Sequence, residues 1–184
     1  MLLPIALFFA LHFFAGQGFS EVSAAPKSVH VKDILHALSI RDALALLGRK
    51  HLVDSSAADL SDPSIEWHER FLDSTLGRRP ATLPHVTQMV FAPVLFEGFP
   101  SKVTILFMDD TSFGATVLIP SPPKIGSIAT VEDFNKLRKN IAASIGEPSV
   151  STERYIDYMM NGMQSIFGTL KDDRITITLW RFGR

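Results

Sequence analysis

The segment "WHERF", residues 67–71, sets His68 beside Glu69 and so opens the HExxH pattern of zinc proteases, in which two imidazoles one helical turn apart hold the metal. The second imidazole belongs at position 72, which is Leu72. A single His on that turn reads as part of a polar helix face. "SPPK", Ser121 to Lys124, carries the letters of the SxxK acyl-transfer motif. That chemistry needs Ser and Lys on one side of a helical turn, and Pro122 with Pro123 favour an extended loop instead. "DDTSFG", Asp109 to Gly114, begins like a calcium loop, but Phe113 and Pro120 occupy the fifth and twelfth positions, where oxygen ligands are required. Asp109 and Asp110 are better read as turn formers between strands.

Other catalytic patterns fail on residue type. There is no cysteine, which excludes a thiol nucleophile, cysteine-ligated zinc and a disulfide framework. No Walker loop occurs, and the one GxG, Gly16-Gln17-Gly18, lacks the rest of a dinucleotide fingerprint. No cofactor and no metal site are expected. Without a GxSxG elbow to mark a nucleophile, a hydrolase would have to assemble dispersed groups such as His68, His85 and Asp109 in one pocket. Of the other histidines after residue 24, His30, His36 and His51 read as surface or capping residues.

Aromatic and methionine side chains offer a different kind of site. Trp180, Phe182, Tyr155, Tyr158 and Met159 concentrate large, adaptable apolar area in the C-terminal third, the composition common at recognition surfaces. In "RITITLWR", period-two alternation sets Trp180 on the face opposite Ile175, Ile177 and Leu179. If a helix covers the latter face, Trp180 points outward. These five residues are the expected binding surface.

The elements that would position them are an α+β set. Residues 31–48 carry Ile34, Leu35, Leu38, Ala45 and Leu46 at helical spacing and stop at Gly48, predicting one helix or two short ones split near Ser39. "VDSSAADLSDPS" reads as a polar connection, and Asp62 and Pro63 start a helix through Trp67, Phe71, Leu72 and Leu76. After the linker "RRPATLPH" the period becomes two: residues 86–96, 101–107 and 114–119 predict an antiparallel meander. Thr130 with Asp133 predicts a capping box, and the stripe Val131, Phe134, Leu137, Ile141, Ile145 predicts a helix ended by Gly146 and Pro148. Tyr155, Met159 and Met163 recur every four residues and predict a short helix. The last segment predicts a hairpin turning at Lys171 to Arg174. The expected fold class is α+β: an antiparallel sheet of about five strands in β-β-β-α-β-β order, with N-terminal helices and one central helix packed on it.

The N-terminus sets the expected location. Ile5 to Phe14 is an apolar run broken by His12 alone, the length of a signal-peptide core and far short of the roughly 20 residues that span a bilayer. Val22-Ser23-Ala24 offers signal peptidase small side chains for cleavage after Ala24, although no Lys or Arg precedes the core. Residues 1–24 are thus expected to be a cleavable signal peptide. Residues 25–184 are expected to form a single domain, helical over 25–80 and sheet plus helix over 86–184. Cleavage removes Glu21 alone among charged residues, leaving 18 basic and 18 acidic side chains. That balance gives no electrostatic reason to expect nucleic acid or an anionic membrane as partner. The expectation is a periplasmic or secreted, non-enzymatic binding protein of immunity, inhibitor or envelope-accessory type, whose partner is a protein or an envelope ligand. An exported hydrolase is the alternative.

Overall fold

The computed structural model describes residues 28–57, 86–120, 128–160 and 164–181. The expected signal peptide, the 62–76 helix with His68, the linker with His85, the "SPPK" loop, Met163 and Phe182 lie outside them.

Nine strands form one mixed sheet, with three α-helices among the described residues. This corrects the expectation of a five-stranded α+β fold with prominent N-terminal helices. The strands are β1 (Ser28–Val29), β2 (Leu52–Ala57), β3 (Val86–Phe96), β4 (Phe99–Met108), β5 (Thr111–Ile119), β6 (Val150–Ser151), β7 (Tyr155–Met160), β8 (Gln164–Lys171) and β9 (Arg174–Arg181). Their order across the sheet is β1-β3-β4-β5-β9-β8-β7-β6, and β2 also pairs with β3. The β1–β3 pairing is parallel and the others are antiparallel.

Four of these strands account for the discrepancy. Tyr155 and Met159 lie in β7, not in a helix, because a four-residue step is also an even step and keeps side chains on one face of a strand. The "VDSSA" stretch, expected as a connection, is β2, an edge strand with residues Val53–Ala57 all exposed, so no alternation marks it. β1 and β6 have two residues each, too few for a period.

The helices are α1 (Val31–His36), α2 (Ile40–Leu47) and α3 (Val131–Ile145). The split between the first two falls at Ser39, whose side chain accepts from the Asp42 N–H as N-cap. In α3, Thr130 Oγ1 accepts from the Asp133 N–H at 3.1 Å and the Asp133 carboxylate accepts from the Thr130 N–H at 2.9 Å, so the predicted capping box is formed. The chain leaves α3 through Gly146 at φ +94°.

All three helices bury their apolar sides against one face of the sheet. Phe134, Leu137 and Ile141 from α3 join Ile34 and Leu35 from α1 and Ala43 and Leu47 from α2 over a row of strand residues. That row runs Phe91–Val103–Val117–Ile177–Gly168–Ile156 from β3 to β7. A register shift between Phe91 and Val94 keeps Met89, Phe91, Val94 and Phe96 all in this core. The connection from β5 through α3 reaches β6 at the far edge, and β7, β8 and β9 then return to pair with β5.

Candidate functional site

Three hairpin turns carry residues with positive φ, and they divide by residue type. Asp109, Asp172 and Asp173 adopt left-handed backbone that Asp tolerates through its short polar side chain. The β3–β4 turn instead has Glu97 at φ +49° followed by Gly98 at φ +85°, where a two-residue hairpin normally uses Asn or Asp before Gly. The Glu97 side chain explains the choice, because it reaches back into the protein and is 3% exposed.

Its carboxylate joins three elements. Oε1 accepts the Val31 N–H at 2.7 Å, at the first turn of α1. Oε2 lies 2.9 Å from Nδ1 of His30, the residue that links β1 to α1. On the backbone, the Glu97 N–H donates to Val29 O at 2.9 Å and the Asn140 side-chain amide of α3 donates to Glu97 O at 2.9 Å. A buried carboxylate is thereby held by an imidazole and a backbone N–H, the kind of partners a buried acid requires. An open pocket of about 370 Å³ adjoins the pair, lined by His30, Glu97, Asn140, Ser28 and Ser144 among others. With Nδ1 engaged, Nε2 is the remaining ring nitrogen of His30, on a side chain that is 45% exposed.

A second groove, of about 610 Å³, also runs along α3 and shares Ala143 with the first. Arg138, Lys139, Ala142 and Ala143 from the helix line it together with Glu147, Pro148 and Ser151. Arg138 Nη1 donates to Ser151 Oγ at 2.7 Å, tying α3 to β6.

The predicted surface residues separate in the structure. The row Leu106–Gly114–Trp180–Ser165–Met159 crosses the face opposite the helices, so the alternation placed Trp180 on the correct side. Trp180 is nevertheless 2% exposed, against the expectation that it faces outward. Its indole lies over Gly114, whose missing side chain leaves the room: a Cβ there would stand 3.4 Å from Cε3 and Cζ3 of Trp180. Tyr158 alternates to the helix-covered face, joins the core and is 3% exposed. Burial, then Glu147, pushes its phenol up to about 12. Its hydroxyl is buried with no hydrogen-bond partner among the described residues. Tyr155 is half-buried and its hydroxyl donates to Asp157 Oδ2 at 3.1 Å. Met159 is the exposed member, at 78%, and Val150 on the neighbouring β6 is 50% exposed.

Sequence reasoning missed Glu97, His30 and Asn140 as a group. The one local signal was a Glu-Gly pair at a tight hairpin turn. Asp109 sits in an exposed turn, apart from the His30–Glu97 pocket. Among the described residues, no group of three His, Asp or Glu side chains is placed to hold a metal ion, and no helix is long and apolar enough to cross a membrane. Comparison with protein-family models, with curated proteins and with solved structures finds no match for this chain.

Proposed function

We propose that this chain is an exported, non-enzymatic binding protein that receives a protein or envelope ligand at the rim formed by β6, β7 and the C-terminal half of α3. The observation that carries the reading is the exposure of Met159 beside Val150 at one edge of the sheet. Adaptable apolar side chains rimmed by polar groups are what a recognition surface offers, and here Ser149, whose Oγ accepts the Met159 N–H, and Asp157, the partner of Val150 in the ladder, adjoin them. Export rests on the N-terminal apolar run and the Val22-Ser23-Ala24 site.

The test is photo-cross-linking in intact cells from a reactive amino acid placed at Met159, compared with the same amino acid at Val53. Val53 is 61% exposed on β2 at the opposite edge of the sheet, so it controls for mere accessibility. A specific adduct from position 159 and none from 53, weakened by Val150→Lys, is the expected result. Equal labelling from both positions, or none from 159, refutes it.

A hydrolase is the second reading, favoured by the Glu97 carboxylate on His30 Nδ1 beside a pocket lined by Ser28 and Ser144. It requires esterase activity of the purified protein toward p-nitrophenyl acetate that His30→Ala removes with folding intact.

A further inference from the structure

Arg138 and Lys139 bring two cationic side chains to one wall of the groove between α3 and β6, and among the described residues neither is ion-paired with a carboxylate. Arg138 is held in place by a hydrogen bond to Ser151 Oγ, and a guanidinium has further N–H donors in a planar fork suited to a carboxylate. The adjoining helix surface is Ala142 and Ala143, small enough for a ligand main chain to lie close. Glu147 also lines the groove, so anionic groups are favoured beside Arg138 and Lys139 and N–H groups beside Glu147. The volume, about 610 Å³, falls in the range of sites that take small ligands or a few residues of peptide.

A second observation points to the same place. Tyr158 is 3% exposed, and its buried hydroxyl donates to no acceptor among the described residues. A buried donor left unmade is costly, and native proteins seldom keep one without use. Tyr158 lies on the helix-covered face of β7, two residues beyond Ile156, which pairs with the groove residue Ser151.

From this arrangement we propose that the groove between α3 and β6 binds the C-terminal end of a peptide, with Arg138 and Lys139 taking its terminal carboxylate and Glu147 accepting a main-chain N–H. The assignment deepens the binding reading above, supplying the chemical class of ligand for the rim that carries Met159. Tyr158 acts as a positioning residue beneath the groove wall, its hydroxyl donating toward the site when the anion is bound. Val150 and Met159 lie on the other face of the same edge, where following residues of the partner would pack.

The experiment is an amide-resolved NMR titration of the purified protein with N-acetyl-dialanine, its C-terminal amide, and N-acetyl-glutamate amide. The acid should shift resonances of residues 138–151, and the other two probes should bind at least about tenfold more weakly. Arg138→Gln and Lys139→Gln should each weaken the acid by a similar factor, and Glu147→Gln should weaken it less. Tyr158→Phe, with an unchanged far-ultraviolet circular dichroism spectrum, should weaken acid binding while leaving the amide's response unaltered. Equal binding of acid and amide, or an unaffected Arg138→Gln variant, overturns the proposal. Equal binding of the glutamate probe replaces chain-end recognition with recognition of an acidic side chain and overturns it as stated. Absence of any groove response alongside a position-159 adduct in cells sinks the carboxylate assignment and leaves the rim reading standing; the converse result separates them the other way.

Discussion

Glu97→Asn sets a local rule against a tertiary contact and so has a sign worth predicting. Asn-Gly is the favoured pair for a two-residue hairpin, and Asn tolerates the left-handed backbone that Glu97 occupies at φ +49°. Relief there is worth about 1 kcal/mol. Against it, Asn is one methylene too short to reach α1, so the contacts to the Val31 N–H at 2.7 Å and to His30 Nδ1 at 2.9 Å are lost. Hydrogen bonds to a charged group contribute about 1.5–3 kcal/mol each, and the Val31 N–H would stay buried without an acceptor. The balance is a net destabilisation of about 2–5 kcal/mol, which in a domain of this size lowers Tm by roughly 5–20 °C. Urea unfolding followed by tryptophan fluorescence measures it, with equal m-values required for the comparison. Glu97→Gln, which keeps the length and an acceptor, should lose about 1 kcal/mol. A neutral or stabilising Glu97→Asn refutes the reasoning, because turn preference would then outweigh the carboxylate's contacts.

Trp180→Ala should lose about 3–5 kcal/mol in urea unfolding followed by circular dichroism, since the indole is 2% exposed; a loss under about 1 kcal/mol would return it to the surface. Gly168→Ala should destabilise by about 1–3 kcal/mol, because its Cβ would stand 2.6 Å from Ile177 Cδ1 and 2.8 Å from Ile156 Cγ1. Adding Ile177→Val removes the nearer atom, so the double variant should cost less than the sum of the singles. Tyr158 titrates near 12 when folded and near 10 when unfolded, so its contribution to stability is intact below pH 10 and is lost as pH rises toward 12. Tyr158→Phe should abolish that slope and remove the high-pH step in tyrosinate absorbance. Exported protein should begin at Ala25 on N-terminal sequencing, and retention of residues 1–24 would remove the basis for placing it outside the cytoplasm.

The elements that could be read from sequence are those whose ends are chemically marked. Thr130, Asp133 and Gly146 bracket α3, and Asp172-Asp173 turns the last hairpin within the Lys171 to Arg174 window. Strand β3 runs from Val86 to Phe96, the limits its composition suggested. What failed has equally specific causes. Tyr155, Met159 and Met163 share a spacing that is even and near one helical turn, so helix and strand fit it alike, and the strand pairing with β8 decides the matter. β2 is exposed from Val53 to Ala57, and its ladder with residues 87–91 of β3 is what defines it. Trp180 was assigned to the right face and the wrong environment, because alternation fixes the direction of a side chain and leaves open what lies over it.

The His30–Glu97–Asn140 cluster was illegible for a different reason. Its members come from the β1–α1 junction, a hairpin turn and the third turn of α3, and nothing in the sequence couples positions 30, 97 and 140. The topology does: α3 lies in the connection from β5 to β6, and it meets the β3–β4 turn through Asn140 and β6, at the other end of the strand order, through Arg138. One helix therefore walls both pockets, with Asn140 and Ser144 on one and Arg138 and Ala142 on the other. Its seating depends on Phe134, Leu137 and Ile141, all fully buried. A change that tilts α3 must alter the two pockets together, whereas a change confined to Arg138 or His30 alters one. That difference makes the two sites separable by mutation even though a single element builds them.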